Sequence, residues 1–359
     1  MNTVSVEILK DLYYIGVNDR DTNLFENMWP LPEGVAYNSY LIVDEKTALL
    51  DTVKITKVNG FIENLKKNLN GRDLDYLIIH HMEPDHSGCY LSVLDVYPNL
   101  TFVGNKKAKA MFKDYLDMEP ENFIEVKDGE TLSLGKRTLT FVNTPMVHWP
   151  ESMVSYESTD KILFSQDIFG GFGALNGTIF DDEMNFDFFR DEMRRYYSNI
   201  VGKYSKQAAK ALEKVKALDI KVICPVHGIV WRTHPNMIID EYIRLANQVN
   251  EEGVVIAYGS MYGNTEKMAD TLARYLAEEG IRNVKVFDVS KTHVSYILSE
   301  IWKYKGFILG SCTYNNSVYP NVNQLLYTLR MNKLSNHILG IFGSYGWSGG
   351  AVKELTEFA

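Results

Sequence analysis

The sequence predicts a two-domain protein of α/β and α+β class, divided into residues 1–250 and 251–359. Three observations lead to this prediction. The chain of 359 residues is too long for one ordinary hydrophobic core. Up to residue 250, hairpins mix with strand-loop-helix units, which favours two packed sheets with helices outside. After Glu251-Glu252-Gly253, buried strands alternate with Gly/Ser-rich loops and helices, which favours a doubly wound parallel sheet.

Composition excludes several classes of protein. The net charge of −9 argues against a nucleic-acid partner, which would require a basic face. We expect no membrane span, because the sequence has no apolar window of about 18 residues. The N-terminus also lacks the pattern of a signal peptide, so we expect a cytoplasmic protein. Cys89, Cys224 and Cys312 form no Cys-x-x-Cys pair, so any metal must be held by nitrogen and oxygen atoms.

In the first domain, apolar residues alternate with turn residues at the spacing of short strands. The predicted strands are Val4–Leu9, Leu12–Val17, Ser39–Val43, Thr47–Asp51, Leu74–Ile79, Thr101–Gly104, Asn122–Val126, Thr138–Asn143, Met153–Tyr156 and Lys161–Ser165. Helices are predicted over residues 55–70, 186–204 and 235–250. Several of the strands end in polar loops, and these loops carry the candidate site.

The stretch from His80 to Gly88 has the highest density of potential metal ligands among these loops, and it follows a buried strand. Its candidate ligands are His81, Glu83, Asp85 and His86. Crowded carboxylates and imidazoles are penalised unless a cation is present, so the loop predicts a metal site. Four ligands are enough to begin two metal sites rather than one. Pro84 argues against a regular helix here, so we expect a rigid loop.

Three later strand exits carry further candidate ligands, which are His148, Asp167 and His227. His80 precedes the loop by one position, and strand alternation should point it away from the metals. Tyr196 and Tyr197 lie on the helical run over residues 186–204 and are the candidate catalytic residues. They either pack over the pocket or donate a hydrogen bond to a group bound at the metals. Phe25 is a further candidate for the wall of the pocket.

The second domain begins with a predicted anion site. The strand Val254–Tyr258 leads through a Gly/Ser/Thr loop to the helix Glu266–Glu279, so amide groups and hydroxyls meet the positive end of a helix. The loop lacks the lysine of a triphosphate loop, so it suits a single phosphate. Strands Gly306–Gly310 and His337–Gly343 lead to two more loops, which carry aromatic residues. Three such loops at one sheet edge describe a binding site for a flat ring.

The candidate cofactor contacts lie in these three loops. They are Ser260, Met261, Tyr262, Gly263, Asn264, Thr265, Ser311, Cys312, Thr313, Tyr314, Asn315, Asn316, Ser344, Tyr345, Gly346, Trp347, Ser348 and Gly349.

The metal motif resembles that of the metallo-β-lactamase fold in its diiron version. The zinc hydrolases of that superfamily have a second histidine where this chain has Glu83. A harder, anionic ligand set suits iron better than zinc. The resemblance implies an αββα sandwich in which Asp167 bridges two irons. The implied ligands of one iron are His81, Glu83 and His148, and those of the other are Asp85, His86 and His227.

The second domain resembles flavodoxin, which implies FMN as the cofactor. Taken together, the chain resembles the flavodiiron proteins, also called A-type flavoproteins, and the loop Gly259-Ser260-Met261-Tyr262-Gly263-Asn264-Thr265 is typical of them. This resemblance implies reduction of dioxygen to water or of nitric oxide to nitrous oxide. It also implies a head-to-tail homodimer or a dimer of dimers, and an external electron donor such as a rubredoxin or a flavin reductase.

A five-stranded flavodoxin would continue through one more strand and helix after the predicted helix Val352–Phe358. We therefore expect the natural protein to be longer than this sequence. Two other functions stay open. A zinc metallo-hydrolase carrying a flavodoxin-like module would show hydrolysis without a reductant. An electron carrier with a degenerate metal centre is the third hypothesis.

Overall fold

The computed structural model describes residues 5–359, so Val4 of the first predicted strand lies outside the described residues. The chain forms two compact units. The first comprises the chain up to Met193 together with Lys206–Tyr242. The second comprises Arg194–Ser205 together with Ile243–Ala359. Residues 194–205 thus belong to the second unit, although they precede the predicted domain boundary at residue 250.

Two larger sheets form the first unit. One has the order β1-β2-β7-β8-β9-β10-β11 and the other β12-β13-β14-β15-β16, with small hairpins β3-β6 and β4-β5 beside them. The strands are β1 (Val6–Leu9), β2 (Leu12–Tyr14), β3 (Val17–Asp19), β4 (Leu24–Phe25), β5 (Trp29–Pro30), β6 (Val35–Tyr37), β7 (Tyr40–Val43), β8 (Thr47–Leu50), β9 (Tyr76–Ile78), β10 (Thr101–Gly104), β11 (Phe123–Glu125), β12 (Thr131–Ser133), β13 (Thr138–Asn143), β14 (Met153–Glu157), β15 (Ile162–Gln166) and β16 (Val222–Pro225).

The two sheets pack on each other through buried side chains. The Tyr40 ring of β7 lies 5.6 Å from that of Phe164 in β15. The Tyr40 hydroxyl donates a hydrogen bond of 2.6 Å to the carbonyl of Pro225 at the end of β16. Each sheet is antiparallel at one side and becomes parallel further on, at β8-β9 and at β15-β16. The strands β9, β15 and β16, which take part in this parallel pairing, precede six of the seven predicted ligands, whereas His148 follows the antiparallel strand β13.

Helices flank these strands. Those of the chain up to residue 246 are α1 (Val58–Leu69), α2 (Pro84–Ser87), α3 (Tyr90–Val96), α4 (Lys106–Leu116), α5 (Phe186–Tyr196), α6 (Ser205–Lys216) and α7 (Pro235–Ala246). Helix α1 buries Phe61, Leu65 and Leu69 on one face and ends at Asn70 in the left-handed conformation, a common helix stop. Short 3-10 turns occur at Ile55–Lys57, Asp181–Glu183 and Gly202–Tyr204.

The second unit is a doubly wound sheet, as predicted. Its parallel strands have the order β18-β17-β19-β21, and β20 pairs antiparallel with the end of β19. The strands are β17 (Glu251–Gly259), β18 (Val284–Asp288), β19 (Tyr304–Tyr314), β20 (Ser317–Val318) and β21 (Ile338–Ser344). The helices are α8 (Asn264–Glu278), α9 (Val294–Lys303), α10 (Pro320–Asn332) and α11 (Gly350–Phe358). The predicted two-domain fold class is confirmed.

Two local predictions were wrong, and one is confirmed with a change in helix type. Pro84 begins the one-turn helix α2 instead of preventing it, because proline at the first helical position loses no hydrogen bond. Residues 311–314, predicted as loop, extend strand β19 because β20 pairs back on them. The helical run predicted over residues 186–204 is helical throughout, but it changes from α-helix to a π-helical turn at Tyr197–Val201 and to a 3-10 turn at Gly202–Tyr204.

The segment around that turn is built into the second unit. Arg194, with its side chain 3% exposed, forms an ion pair of 2.7 Å with Glu300. Its Nε also donates to the carbonyl and the hydroxyl of Ser299. Within the described part of the chain, no helix is both long and apolar enough to cross a membrane.

Candidate functional site

The structure brings the seven predicted metal ligands together in two adjacent groups. One group is His81, Glu83, His148 and Asp167, and the other is Asp85, His86 and His227. Within each group the possible ligand atoms all lie within 4.8 Å of one another. All of these residues are buried except Asp85, which is half-buried. Residues that are far apart in sequence thus converge because they follow the ends of neighbouring strands.

Asp167 faces both groups, one with each carboxylate oxygen. Its Oδ2 lies 3.4 Å from Nε2 of His81 and 3.5 Å from Nε2 of His148. Its Oδ1 lies 3.4 Å from Nε2 of His86 and 3.5 Å from Nε2 of His227. A carboxylate in this position can bind two cations at once, as the proposed bridge requires.

The two remaining carboxylates divide between the groups. Glu83 Oε2 lies 3.1 Å from His81 Nε2 and 2.9 Å from His148 Nε2. Asp85 lies 3.5 Å from His86 Nε2 through Oδ1 and 3.4 Å from His227 Nε2 through Oδ2. Each group therefore offers two imidazole nitrogens, one carboxylate of its own and one oxygen of the shared Asp167.

The electrostatics of the cluster fit bound cations. Both oxygens of Asp85 and both ring nitrogens of His86 are buried without a hydrogen-bond partner in the part of the chain that the structure describes. Buried polar atoms of this kind are costly, and a metal at their common focus would satisfy them. Oxygen and nitrogen donors with three carboxylates suit iron or another metal of similar hardness.

The pKa values of His81 and His86 also reflect the negative charge of the carboxylates in the cluster. Burial alone would lower the pKa of His86, but the charges of Asp85 and Asp167 outweigh burial and raise it to about 9. Burial is likewise outweighed at His81, whose pKa lies well above its ordinary value because of Glu151, Glu83 and Asp167. In the metal-free protein, protons bound to these histidines thus balance the negative charge of the carboxylates.

Residues behind the ligands hold the imidazoles in place. His227 Nδ1 donates to the carbonyl of Ala36 at 2.8 Å, so its Nε2 faces the site. His81 Nδ1 lies 2.8 Å from Glu151 Oε1. His80 points away as predicted, since its ring lies between Asp51 at 2.7 Å and Ser155 at 2.6 Å. Alternation predicted the direction of His80, but nothing in the sequence singled out Glu151 or Ala36.

A cavity of about 620 Å³ opens beside Glu83 and Asp85. Phe25, Glu26 and Tyr37 also line it. The Phe25 ring lies 5.5 Å from the His227 ring, so the prediction that Phe25 lies at the pocket agrees with the structure. Glu26 and Tyr37 were missed, because they belong to short strands and a hairpin turn that the sequence pattern did not reveal.

The two candidate catalytic tyrosines are fully buried. Tyr197 exchanges a hydrogen bond of 3.0 Å with Ser205, and its ring lies 6.0 Å from that of Trp302. These partners belong to the second unit, whereas the seven candidate ligands all belong to the first. The contacts of Tyr197 agree with the packing alternative, and a catalytic role for Tyr196 or Tyr197 stays a prediction.

The three predicted cofactor loops meet at one edge of the parallel sheet in the second unit. Gly263 has φ +86° and precedes helix α8, and its amide donates to Ser260 Oγ at 3.1 Å. Thr265 Oγ1 lies 2.9 Å from Ser344 Oγ, which joins the first loop to the third. The chain therefore forms the turn of amides and hydroxyls that a phosphate requires.

Large aromatic side chains stand exposed around this loop. The exposed fraction is 91% for both Tyr262 and Trp347 and 64% for Tyr345. Exposed aromatic rings clustered beside a phosphate loop are suited to cover a flat apolar ligand. Two of the predicted contacts, Ser311 and Cys312, lie buried within β19, where they pair with Gly343 and Ser344 of β21.

Comparison with known proteins agrees with both units. Residues 35–228 match the family described as ODP family beta lactamase, and residues 256–358 match flavodoxin. The chain is 36% identical over 355 residues to the nitric oxide reductase of Moorella thermoacetica, which covers 98% of this chain and 88% of that protein.

Two solved structures have the same fold over nearly the whole chain. Rubredoxin oxygen:oxidoreductase from Desulfovibrio gigas is 35% identical with a TM-score of 0.95, covering 99% of this chain and 89% of that chain. The flavodiiron protein from Giardia intestinalis is 30% identical with a TM-score of 0.95, covering 100% of this chain and 88% of that chain.

Proposed function

This chain belongs to the flavodiiron proteins, and from that premise we propose that it reduces dioxygen to water, nitric oxide to nitrous oxide, or both. Two relatives with which it shares more than a third of its residues, a nitric oxide reductase and a rubredoxin-oxygen oxidoreductase, are named for such reactions. The observation that carries the proposal is the position of Asp167, whose two oxygens face two separate groups of histidines. A site for a single hydrolytic metal does not need that arrangement.

We assign the ligands as the geometry groups them. His81, Glu83 and His148 would hold one iron, Asp85, His86 and His227 would hold the other, and Asp167 would be shared by both. FMN is held by the three loops of the second unit. Together the irons and the flavin supply the four electrons that reduce dioxygen fully, or the two that couple a pair of nitric oxide molecules.

The chain itself contributes shape and proton-bearing groups. The cavity beside Glu83 and Asp85 is large enough for a diatomic gas and is walled by Phe25 and Tyr37. Burial, together with the negative charge of Asp85, raises the pKa of Tyr37. The Tyr37 hydroxyl therefore keeps its proton at neutral pH and can donate a hydrogen bond to a gas molecule in the cavity.

The assembly and the donor are further proposals. A head-to-tail homodimer would place the flavin unit of one subunit against the metal unit of its partner. Electrons would come from a rubredoxin, in keeping with the name of the rubredoxin-oxygen oxidoreductase relative, or from a flavin reductase. The expected cytoplasmic location stays a prediction, which the three unpaired buried cysteines support because a reducing compartment preserves free thiols.

Metal and flavin analysis of protein purified without air tests the function. We expect two irons and one FMN per chain, and consumption of dioxygen or nitric oxide when reduced rubredoxin is supplied. Asp167→Asn should lose iron, and its activity should fall by at least about 100-fold, because even partners behind metal ligands are worth about 10–100-fold.

The matched control is Asp181→Asn. Asp181 is a buried carboxylate that accepts hydrogen bonds from the amides of Thr233 and His234 and is not one of the candidate ligands. This variant should keep both irons and full activity. Zinc in place of iron, together with hydrolysis that needs no reductant, would establish the metallo-hydrolase alternative instead.

A further inference from the structure

Glu151 stands directly behind His81, on the side away from the metal site. Its Oε1 accepts hydrogen bonds from His81 Nδ1 at 2.8 Å and from the amide of Met82 at 2.9 Å. The opposite ring nitrogen of His81, Nε2, faces Glu83 and Asp167. The imidazole thus connects the metal position to a carboxylate that does not reach the metal itself.

The backbone at Glu151 is fixed as well. Asn105 Nδ2 donates a hydrogen bond of 2.5 Å to the Glu151 carbonyl. The Oδ1 atom of the same Asn105 side chain caps helix α4 by accepting from the amides of Lys107 and Ala108. Glu151 is therefore anchored to a helix end, and its carboxylate has a defined position relative to His81.

The carboxylate is enclosed and faces His81. Its side chain has no exposed surface. Its Oε1 atom receives hydrogen bonds from both the imidazole of His81 and the backbone amide of Met82, the pattern that suits a carboxylate acceptor. The second oxygen, Oε2, is buried without a hydrogen-bond partner among the described residues. No described donor therefore forms a hydrogen bond to the Oε2 atom of Glu151.

Among the contacts of the described residues, no carboxylate stands in the same way behind a histidine of the second metal position. His227 Nδ1 donates to the neutral carbonyl of Ala36 at 2.8 Å. His86 Nδ1 is buried without a hydrogen-bond partner in the described part of the chain. The carboxylates that face the irons divide evenly, since Glu83 serves one position, Asp85 the other, and Asp167 both. Glu151 therefore adds one negative charge behind the first position only.

We propose that Glu151 is a positioning residue that makes the two iron positions unequal. Acting through His81, it raises the metal affinity of the first position and favours the ferric over the ferrous state there. The physical reason is that a carboxylate behind a histidine ligand increases the basicity of the ring and stabilises the higher positive charge. The inference rests on the proposed diiron function.

Glu151→Gln separates charge from position. The glutamine Oε1 can still accept hydrogen bonds from His81 and Met82, so the ring stays oriented while the charge is removed. The matched control is Glu157→Gln. Glu157 is equally buried in the same unit, but it pairs with Arg137 at 3.2 Å and accepts the amides of Thr159 and Asp160. It is not a candidate ligand, and these partners are not candidate ligands either.

The experiment measures iron binding and reduction potentials in the intact protein. Metal-free protein is titrated with ⁵⁷Fe²⁺ without air, and each iron is then followed by Mössbauer spectroscopy during a redox titration. Mössbauer spectra report the oxidation state of iron irrespective of the flavin. Wild type and Glu157→Gln should each bind two irons with two distinct potentials.

In Glu151→Gln, we expect both irons to bind, with the affinity of one lowered by about 10–100-fold. The lower of the two potentials should rise, so that the separation between them narrows. A tenfold change in the ferric-to-ferrous ratio converts to about 59 mV for a one-electron couple.

The outcomes distinguish the inference from the function on which it rests. A wild type that does not bind a pair of irons overturns the proposed function and this inference together. A wild type with two irons, but with the same affinities and separation of potentials in Glu151→Gln, overturns this inference alone. An equal shift of both potentials also overturns it, because that would show a general field rather than an effect through His81.

Discussion

Removal of metal should make the stability of this protein depend strongly on pH between 6.5 and 9. In the metal-free cluster, the carboxylates Asp85 and Asp167 face His86, and the pKa of His86 is raised from 6.5 to about 9. The pKa values of His81 and His148 are raised in the same direction, since their neighbouring carboxylates outweigh burial. The folded metal-free protein therefore binds protons that the unfolded chain releases near pH 6.5.

The sign follows from linkage. A group whose folded pKa exceeds its unfolded pKa contributes stability that is fully present below the unfolded value and is lost as pH rises through the folded value. For His86, the shift of the pKa from 6.5 to about 9 contributes on the order of 3 kcal/mol to the free energy of unfolding. The metal-loaded protein should not lose this contribution, because metal replaces the protons at the imidazoles.

Urea unfolding curves at pH 6, 7.5 and 9 provide the measurement, with metal-free and iron-loaded protein compared at each pH. His86→Asn should reduce the pH dependence of the metal-free protein by about 3 kcal/mol, the value derived from the raised pKa. His234→Asn is the control, because His234 is exposed and outside the cluster. A metal-free wild type that is as stable at pH 9 as at pH 6 would refute the reasoning.

Three further predictions concern single substitutions. Glu83→His should raise the zinc-to-iron ratio of protein reconstituted with equal amounts of both metals, measured by elemental analysis. Gly263→Ala should weaken FMN binding about tenfold in a fluorescence titration, because φ is +86° there and a side chain costs about 1–2 kcal/mol. Gly280→Ala carries the same strain at φ +88° outside the cofactor loops, so it should leave FMN affinity unchanged. Arg194→Ala should lower the free energy of unfolding by about 3–5 kcal/mol, because it breaks a buried ion pair. The control is Arg190→Ala, which should change the free energy of unfolding by less than about 1 kcal/mol because the Arg190 side chain is 51% exposed. Urea unfolding measures both variants.

The candidate ligands could be predicted from sequence because each follows the end of a strand. Apolar runs such as Ile162–Gln166 and Val222–Pro225 mark buried strands, and the polar residue after each must lie at the sheet edge. The sequence predicts Asp167 and His227 as ligands in that way. Long-range convergence then required only that the strand exits share an edge.

Other parts of the site carry no such signal. Glu26 and Tyr37 lie on a turn and a strand of three residues, too short for a periodic pattern to be read. Glu151 follows Pro150 in a loop, and only the fold shows that it stands behind His81. The extension of β19 likewise depends on its pairing with β20, which is a tertiary contact that local propensity does not encode.

Glu83 links the sequence to the chemistry most directly. Its Oε2 lies within 3.1 Å of two imidazole nitrogens, so the carboxylate takes the position at which the zinc hydrolases of this fold are expected to carry histidine. An imidazole there would leave Asp85 and Asp167 as the only carboxylates facing the metals. With Glu83, three carboxylates would face two divalent ions, which leaves a smaller net positive charge than two carboxylates would leave. A harder, more anionic pocket stabilises ferric iron. Zinc has no redox chemistry, so it cannot replace iron in a reaction that transfers electrons. We therefore expect the residue at position 83 to influence whether these strand exits hold a hydrolytic or a redox centre, and the metal content of Glu83→His tests this expectation.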